Sequence, residues 1–262
     1  MLISGNASKA VGIVTNDHLE TLRRCGGYYE CPKDDKGRRV GPLVGYAGKY
    51  DSQDGTKKSY VGEVYYNFAK AEQYPHVLDH FARTLLSTSE MEEKVRVDIF
   101  LGAPMGGILF AGALARILDC QVVFAEKKIK KIATLDNREE SDLILDRHGI
   151  PAKANVIIAE DVCNNFSTTA KLIELVEIKY DAHVMGIACA FNRSPNAFYD
   201  CKAFYGYGSR KIAIESLIHI PTLQYMQNDP YVEEQVEAGD VAWKPKDEWK
   251  FLEAAVLAAK GA

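Results

Sequence analysis

No uncharged apolar run in the 262-residue chain reaches the ~18 residues that crossing a bilayer needs. The opening Met1-Leu2-Ile3-Ser4-Gly5-Asn6 lacks the basic stretch and apolar core of a secretory signal. Positive charge is not in excess either. The chain has 32 Lys and Arg against 36 Asp and Glu, a net charge of −4, which argues against a general nucleic-acid binder. The six cysteines (Cys25, Cys31, Cys120, Cys163, Cys189 and Cys201) include no Cys-x-x-Cys pair, and their number and spacing do not read as a disulfide framework at this size. Cys120 and Cys189 sit at or within apolar segments, where a thiol behaves as a small buried hydrophobe. Cys25 and Cys31 have no second pair to complete a zinc site. Internal repeats and low-complexity tracts are also missing. These absences predict a cytoplasmic protein with no membrane or nucleic-acid partner and no metal held by the protein alone.

What is present is ordinary for a globular chain, 47% hydrophobic and 26% charged, and long enough for one large domain or two small ones. Residues 1–70 are polar and glycine-rich at first, with a short helix expected near 16–24 and a β-like run over 60–68. They read as a hood with too few apolar residues to make a core alone. A helix is expected over 75–87, with Val77, Leu78, Phe81, Leu85 and Leu86 on one face. Strands at 97–101, 121–125, 156–159 and 184–191 then alternate with helices at 108–118 and 170–180. Nearly all-apolar strands separated by helices predict an α/β fold, a central parallel sheet flanked by helices. The core spans 71–224, and 225–262, with both tryptophans (Trp243 and Trp249), is a C-terminal extension that packs back on it.

Four places at strand ends carry possible chemistry, because ligands of parallel sheets bind at the carboxyl ends of strands. The first is the glycine turn over 102–107, with Gly106 and Gly107, which lets backbone N–H groups approach an anion at the start of a helix. It reads equally as a tight turn. Second is Glu160-Asp161, followed by Asn164, Asn165, Phe166, Ser167, Thr168 and Thr169. This is a strand ending in two acids, then a hydroxyl-rich turn into a helix, suited to a phosphate and a metal ion or sugar hydroxyls. A solvated acidic turn is the alternative. Third is Lys127-Lys128-Ile129-Lys130-Lys131, which opens a charged segment without apolar periodicity. That is either a solvated face or a mobile lid over the site. Fourth is Arg193, a surface arginine or a bidentate partner for a planar acid or imide.

Taken in order, the glycine turn, lysine-rich segment and acidic-pair turn resemble the type I phosphoribosyltransferases, and within them orotate phosphoribosyltransferase is most similar. The resemblance covers roughly residues 57–220. It implies transfer of a 5-phosphoribosyl group from 5-phosphoribosyl-1-pyrophosphate to a nitrogen base such as orotate. Mg²⁺ would be bound mainly through the substrate pyrophosphate, and a homodimer is implied. Glu160 and Asp161 then hold the ribose hydroxyls. Asn164, Asn165, Ser167, Thr168 and Thr169 cradle the 5′-phosphate, and Gly106 and Gly107 form the pyrophosphate turn. Lys127, Lys128 and Lys131 match the basic positions of the catalytic loop. Lys57, Tyr65, Tyr66 and Arg193 match residues that border the pyrimidine. The chain departs from the family pattern twice. Phe166 stands where glycine is usual, and no histidine follows Lys131 closely, which leaves Arg138, Arg147 and His148 as substitutes further along. Two other outcomes stay open: a different acceptor base, or a phosphosugar-binding regulatory module without catalysis.

Overall fold

The computed structural model describes residues 13–89, 96–131, 140–194, 198–199 and 202–260. In chain order the first elements are α1 (His18–Arg24), β1 (Tyr28–Glu30), β2 (Leu43–Asp51), β3 (Lys57–Gly62), β4 (Val64–Tyr66) and α2 (Pro75–Thr88). Next come β5 (Ile99–Gly102), α3 (Gly107–Leu118), β6 (Gln121–Phe124), β7 (Glu126–Lys131), β8 (Glu140–Ile144) and β9 (Asn155–Cys163). After these are α4 (Ser167–Glu174), continued by a wide π-helical turn (Leu175–Lys179), then β10 (His183–Asn192), β11 (Phe198–Tyr199), β12 (Lys202–Tyr207) and β13 (Arg210–His219). The last are α5 (Glu233–Glu237), β14 (Val241–Ala242) and α6 (Trp249–Lys260). Among the described residues no helix is long and apolar enough to cross a membrane.

The chain divides into two compact units. One holds Glu72–Pro221 with the described residues up to His18, and the other holds Leu19–Ala71 with Thr222–Ala262. The first is built on a seven-stranded sheet in the order β11-β12-β13-β10-β9-β5-β6. From β13 to β6 all neighbours are parallel. At the other edge β12 runs antiparallel to β13, and β11 to β12. The central strands are parallel because helices cover both faces, and their residues are accordingly almost all apolar. Ile99, Leu101, Val156, Ile158, Ile187 and Ile214 meet Leu172, Ile173 and Val176 of the α4 stretch in one buried core.

Strand order determines where a ligand can sit. From β5 the chain moves outward through α3 to β6, then returns to β9 on the other side of β5 and moves the opposite way through α4 to β10. Right-handed crossovers running in opposite directions put α3 and α4 on opposite faces of the sheet. Between β5 and β9 the two connections therefore part, and ligands of such sheets bind at the carboxyl ends of strands at that point.

The second unit joins the two ends of the chain. The sequence reading keeps residues 1–70 and 225–262 apart, and alone the first stretch holds too little apolar surface for a core. In the structure β14 pairs in parallel with β2, Val241 opposite Leu43. Ala242, Trp249 and Leu252 pack with Tyr29, Cys31, Val44 and Tyr46. Arg39 ties the edge together: it donates to Gln235 (2.7 Å) and Glu63 (2.9 Å), and its guanidinium lies 4.1 Å from the centre of the Tyr231 ring.

Two further differences from the sequence reading have plain physical reasons. The lysine-rich segment, expected as a lid without regular structure, begins as an antiparallel ribbon of β7 and β8, with Lys128 opposite Asp142. Opposite charges facing across strands stabilise such a pair while giving no apolar period to read. Residues 132–139, Arg138 among them, lie outside the described residues. The antiparallel hairpin of β12 and β13, and helix α6 in the polar tail, were not expected.

Candidate active site

Strand β9 runs through Cys163, four residues past the apolar stretch that announces it, so Glu160 and Asp161 lie within the strand. Neighbours in a strand point to opposite faces, and the two acids do so. Asp161 turns toward the face of α3. Its carboxylate occupies the space over Gly106 so closely that a Cβ there would overlap it. Gly107 beside it lies against the Ala159 carbonyl and the Glu160 Cα, where a side chain would also collide. The Ala103 amide donates to the same Ala159 carbonyl at 2.9 Å. These contacts seat the glycine turn on the end of β9, with the start of α3 beside the Asp161 carboxylate.

Glu160 turns the other way and is buried. The Thr169 hydroxyl, also buried, donates to its Oε1 at 2.8 Å. Burial, then the negative charge of Asp161, push the Glu160 carboxyl up to about 8; the Thr169 hydrogen bond and the charge of Lys127 draw it part of the way back. Glu160 and Thr169 thus engage each other, whereas Asp161, partly exposed, lies against the glycine turn.

The turn between β9 and α4 is shaped by Phe166. Its backbone is left-handed (φ 57°, ψ 16°), a conformation that costs a residue other than glycine ~1–3 kcal/mol. The ring is only 4% exposed. It packs into the core under α4 with Leu172 and Ile173, and its centre is 5.0 Å from that of Tyr205. The side chain therefore does not fill the turn. Ahead of it, the Asn165 carboxamide oxygen accepts from both the Ser167 amide (3.3 Å) and the Ser167 hydroxyl (3.1 Å). Two donors thus converge on one oxygen at the start of a helix, where first-turn amides have no intrahelical acceptor. Asn164 and Thr168 are partly buried on the same turn.

On the ribbon, Lys127 and Lys128 are exposed, and as strand neighbours they face opposite sides. Lys127 is the one whose charge reaches Glu160. Lys131 ends β7, and its side chain lies outside the described residues. The two described substitutes for a lid histidine are engaged at the ribbon's base: Arg147 pairs with Glu126 at 3.1 Å, and the His148 ring sits edge-on to Phe124 with centres 4.8 Å apart. Arg193 follows the end of β10; its amide donates to the Cys163 carbonyl at 3.0 Å and the residue is buried.

Lys57, Tyr65 and Tyr66 belong to the other unit. Lys57 is exposed and pairs with Asp51 at 2.8 Å. Tyr65 packs beside Trp249, ring centres 6.2 Å apart, and Tyr66 is buried edge-on against Tyr28 at 5.4 Å.

Mg²⁺ takes one or two carboxylates and completes its shell with substrate phosphates and water. Among the described residues no group of three His, Cys, Asp or Glu side chains comes together to hold a metal ion. Asp161, a single carboxylate beside the glycine turn, fits an ion brought in on a phosphorylated substrate.

The glycine turn pressed on Asp161 and the start of α4 tied to Glu160 both lie at the carboxyl ends of the central parallel strands, where ligands of such sheets bind. The phosphoribosyl transferase domain model matches residues 72–215, more than half of the chain, and the chain belongs to that family. Its curated relatives include the orotate phosphoribosyltransferase of Caldanaerobacter subterraneus subsp. tengcongensis, 26% identical over 169 residues that cover 64% of this chain and 75% of that enzyme. The enzyme of the same name from Caldicellulosiruptor saccharolyticus is 26% identical over 132 residues, half of this chain and 61% of the relative's length. Similar solved structures include adenine phosphoribosyltransferase from Saccharomyces cerevisiae (23% identity, TM-score 0.42, covering 55% of this chain and 83% of that one). Another is orotate phosphoribosyltransferase from Aeropyrum pernix (20%, TM-score 0.39, 57% and 76%).

Proposed function

We propose that the chain transfers a 5-phosphoribosyl group from 5-phosphoribosyl-1-pyrophosphate to a pyrimidine base, orotate foremost, releasing pyrophosphate. The observation that carries the reading is the Asp161 carboxylate lying against Gly106 at the β5–β9 switch point. Family membership and the curated orotate enzymes support it. Asp161 orients the ribose hydroxyls, and the turn at Ser167 and Thr168 binds the 5′-phosphate. The amides of the glycine turn receive the pyrophosphate. Glu160, held by Thr169, fixes the start of α4 relative to β9. Lys127, Lys128 and Lys131 screen the departing charge, and Arg193 serves the base. Catalysis then consists of positioning and electrostatic stabilisation of a departing anion. Mg²⁺, carried on the substrate, supplies charge neutralisation of the pyrophosphate. A homodimer, with lid lysines serving the neighbouring subunit, belongs to the same proposal.

A second reading, a phosphosugar-binding module without turnover, is favoured by the Ser167 donors already being engaged by Asn165. One assay separates the two. Protein is mixed with Mg²⁺, phosphoribosyl pyrophosphate and orotate, and orotate absorbance is followed, with purine bases as competitors. Loss of orotate supports transfer to a pyrimidine. Turnover of a purine alone moves the acceptor, and binding of the phosphosugar without turnover of any base supports the second reading.

A further inference from the structure

Phe166 holds a left-handed backbone conformation (φ 57°) that L side chains rarely adopt. Asn165 and Ser167 bond to each other across it, and no side chain caps the helix from position 166. The side chain itself is held from outside the turn. The Phe166 ring is almost fully buried and meets the Tyr205 ring at 5.0 Å and 36°, within the usual range for paired aromatic rings. Tyr205 lies on β12, in the antiparallel hairpin added to the edge of the sheet, and packs with Tyr207 against the same core.

We propose that Tyr205 is a positioning residue for the phosphate-binding turn and acts through the Phe166 ring. The inference rests on the phosphosugar reading given above and deepens it. With the ring clamped, the backbone at 166 stays left-handed, and the Ser167 amide and hydroxyl converge on one oxygen. That oxygen now belongs to Asn165, and a 5′-phosphate oxygen takes its place when the sugar binds. Without the clamp, residue 166 relaxes toward ordinary dihedrals and the two donors diverge. The chain thus achieves with a buried aromatic pair what a glycine would achieve through its own dihedral freedom.

The test uses the full-length protein with Tyr205→Ala, Tyr205→Leu, Tyr205→Phe, Phe166→Gly and the double variant Phe166→Gly/Tyr205→Ala. Calorimetric binding of ribose 5-phosphate with Mg²⁺ is read beside the thermal midpoint. Tyr205→Ala and Tyr205→Leu are expected to weaken binding by about tenfold, with KM for phosphoribosyl pyrophosphate rising more than kcat falls. Tyr205→Phe, which keeps the ring, binds as wild type does. The decisive comparison is the double variant. Glycine at 166 needs no clamp, so removing Tyr205 from the Phe166→Gly protein should change affinity no further. If Tyr205→Leu binds within twofold of wild type, or its loss adds in full on the Phe166→Gly background, the positioning role is overturned. Failure of the folded wild-type protein to bind ribose 5-phosphate would instead overturn the phosphosugar reading, and this inference with it.

Discussion

The Thr169 hydroxyl donates to Glu160 Oε1 at 2.8 Å, fastening the first turn of α4 to the end of β9. Both residues are buried, so the bond forms where its strength is least shared with water. Asp161, one residue on, faces the opposite side and the glycine turn. The two acids that look alike in the sequence therefore have different surroundings: one is tied to α4 and the other lies against the glycine turn.

The pH dependence of stability should reveal that difference. Glu160 titrates near 4.5 when unperturbed and at about 8 in the folded chain, chiefly through burial. Its folded value is the higher one, so the folded state binds the extra proton between those limits. Stability then falls as pH rises through the window. Glu160→Gln removes the titration and keeps an acceptor for Thr169. Thermal melts of the ligand-free protein should show the variant gaining on wild type between pH 5 and pH 8. A gap between the two that stays constant over that range would contradict the assignment.

At Gly106 the backbone is ordinary (φ −67°, ψ −28°), so the cost of a side chain there is steric alone. Gly106→Ala would push a methyl group into the Asp161 carboxylate. We expect turnover to fall by roughly 100-fold, the usual consequence of displacing a reacting group by about an ångström. Stability should change by ~1–3 kcal/mol. Asp161→Asn should lower turnover by orders of magnitude with the fold intact, and the two changes together should be less than additive. Steady-state kinetics check both, and normal turnover in either single variant would remove Asp161 from the mechanism.

Gly45 offers a test of the second unit. A Cβ there would sit 2.8 Å from the Trp243 ring and 3.2 Å from its backbone. Gly45→Ala should destabilise that unit by ~1–3 kcal/mol, a fall of several degrees in its melting midpoint. Both tryptophans, Trp243 and Trp249, lie in this unit, so their fluorescence reports on it directly. An unchanged fluorescence midpoint would mean that Trp243 shifts aside at little cost.

The parallel centre of the sheet was legible because strands buried on both faces are written in uninterrupted apolar residues, as in Val156–Ile158 and Ile187–Phe191. The helix Pro75–Thr88 was legible from its one-sided apolar face and the proline at its start. Less of the site could be read. Glu160 and Asp161 look like the end of the strand because charged residues rarely continue a buried one, and only the structure shows β9 running on through Cys163. Phe166 reads as bulk in a phosphate turn, since no local pattern reveals that its ring is turned into the core. The hairpin carrying Tyr205 did leave a trace on one side: in β13 burial alternates at Ile212, Ile214 and Ser216. The ribbon of β7 and β8 left none, because its strands carry mostly charges.

The second unit also sets an order of events at the ribosome. Its N-terminal strands emerge first, but Val241, which pairs with Leu43, is ~170 residues behind Ala71, and synthesis proceeds at about 5–20 residues per second. For about 10–35 seconds the nascent hood therefore lacks its closing strand and helix while the intervening sheet is being made. A stalled or prematurely terminated chain would leave Leu43, Val44 and Tyr46 uncovered, a surface suited to capture by chaperones.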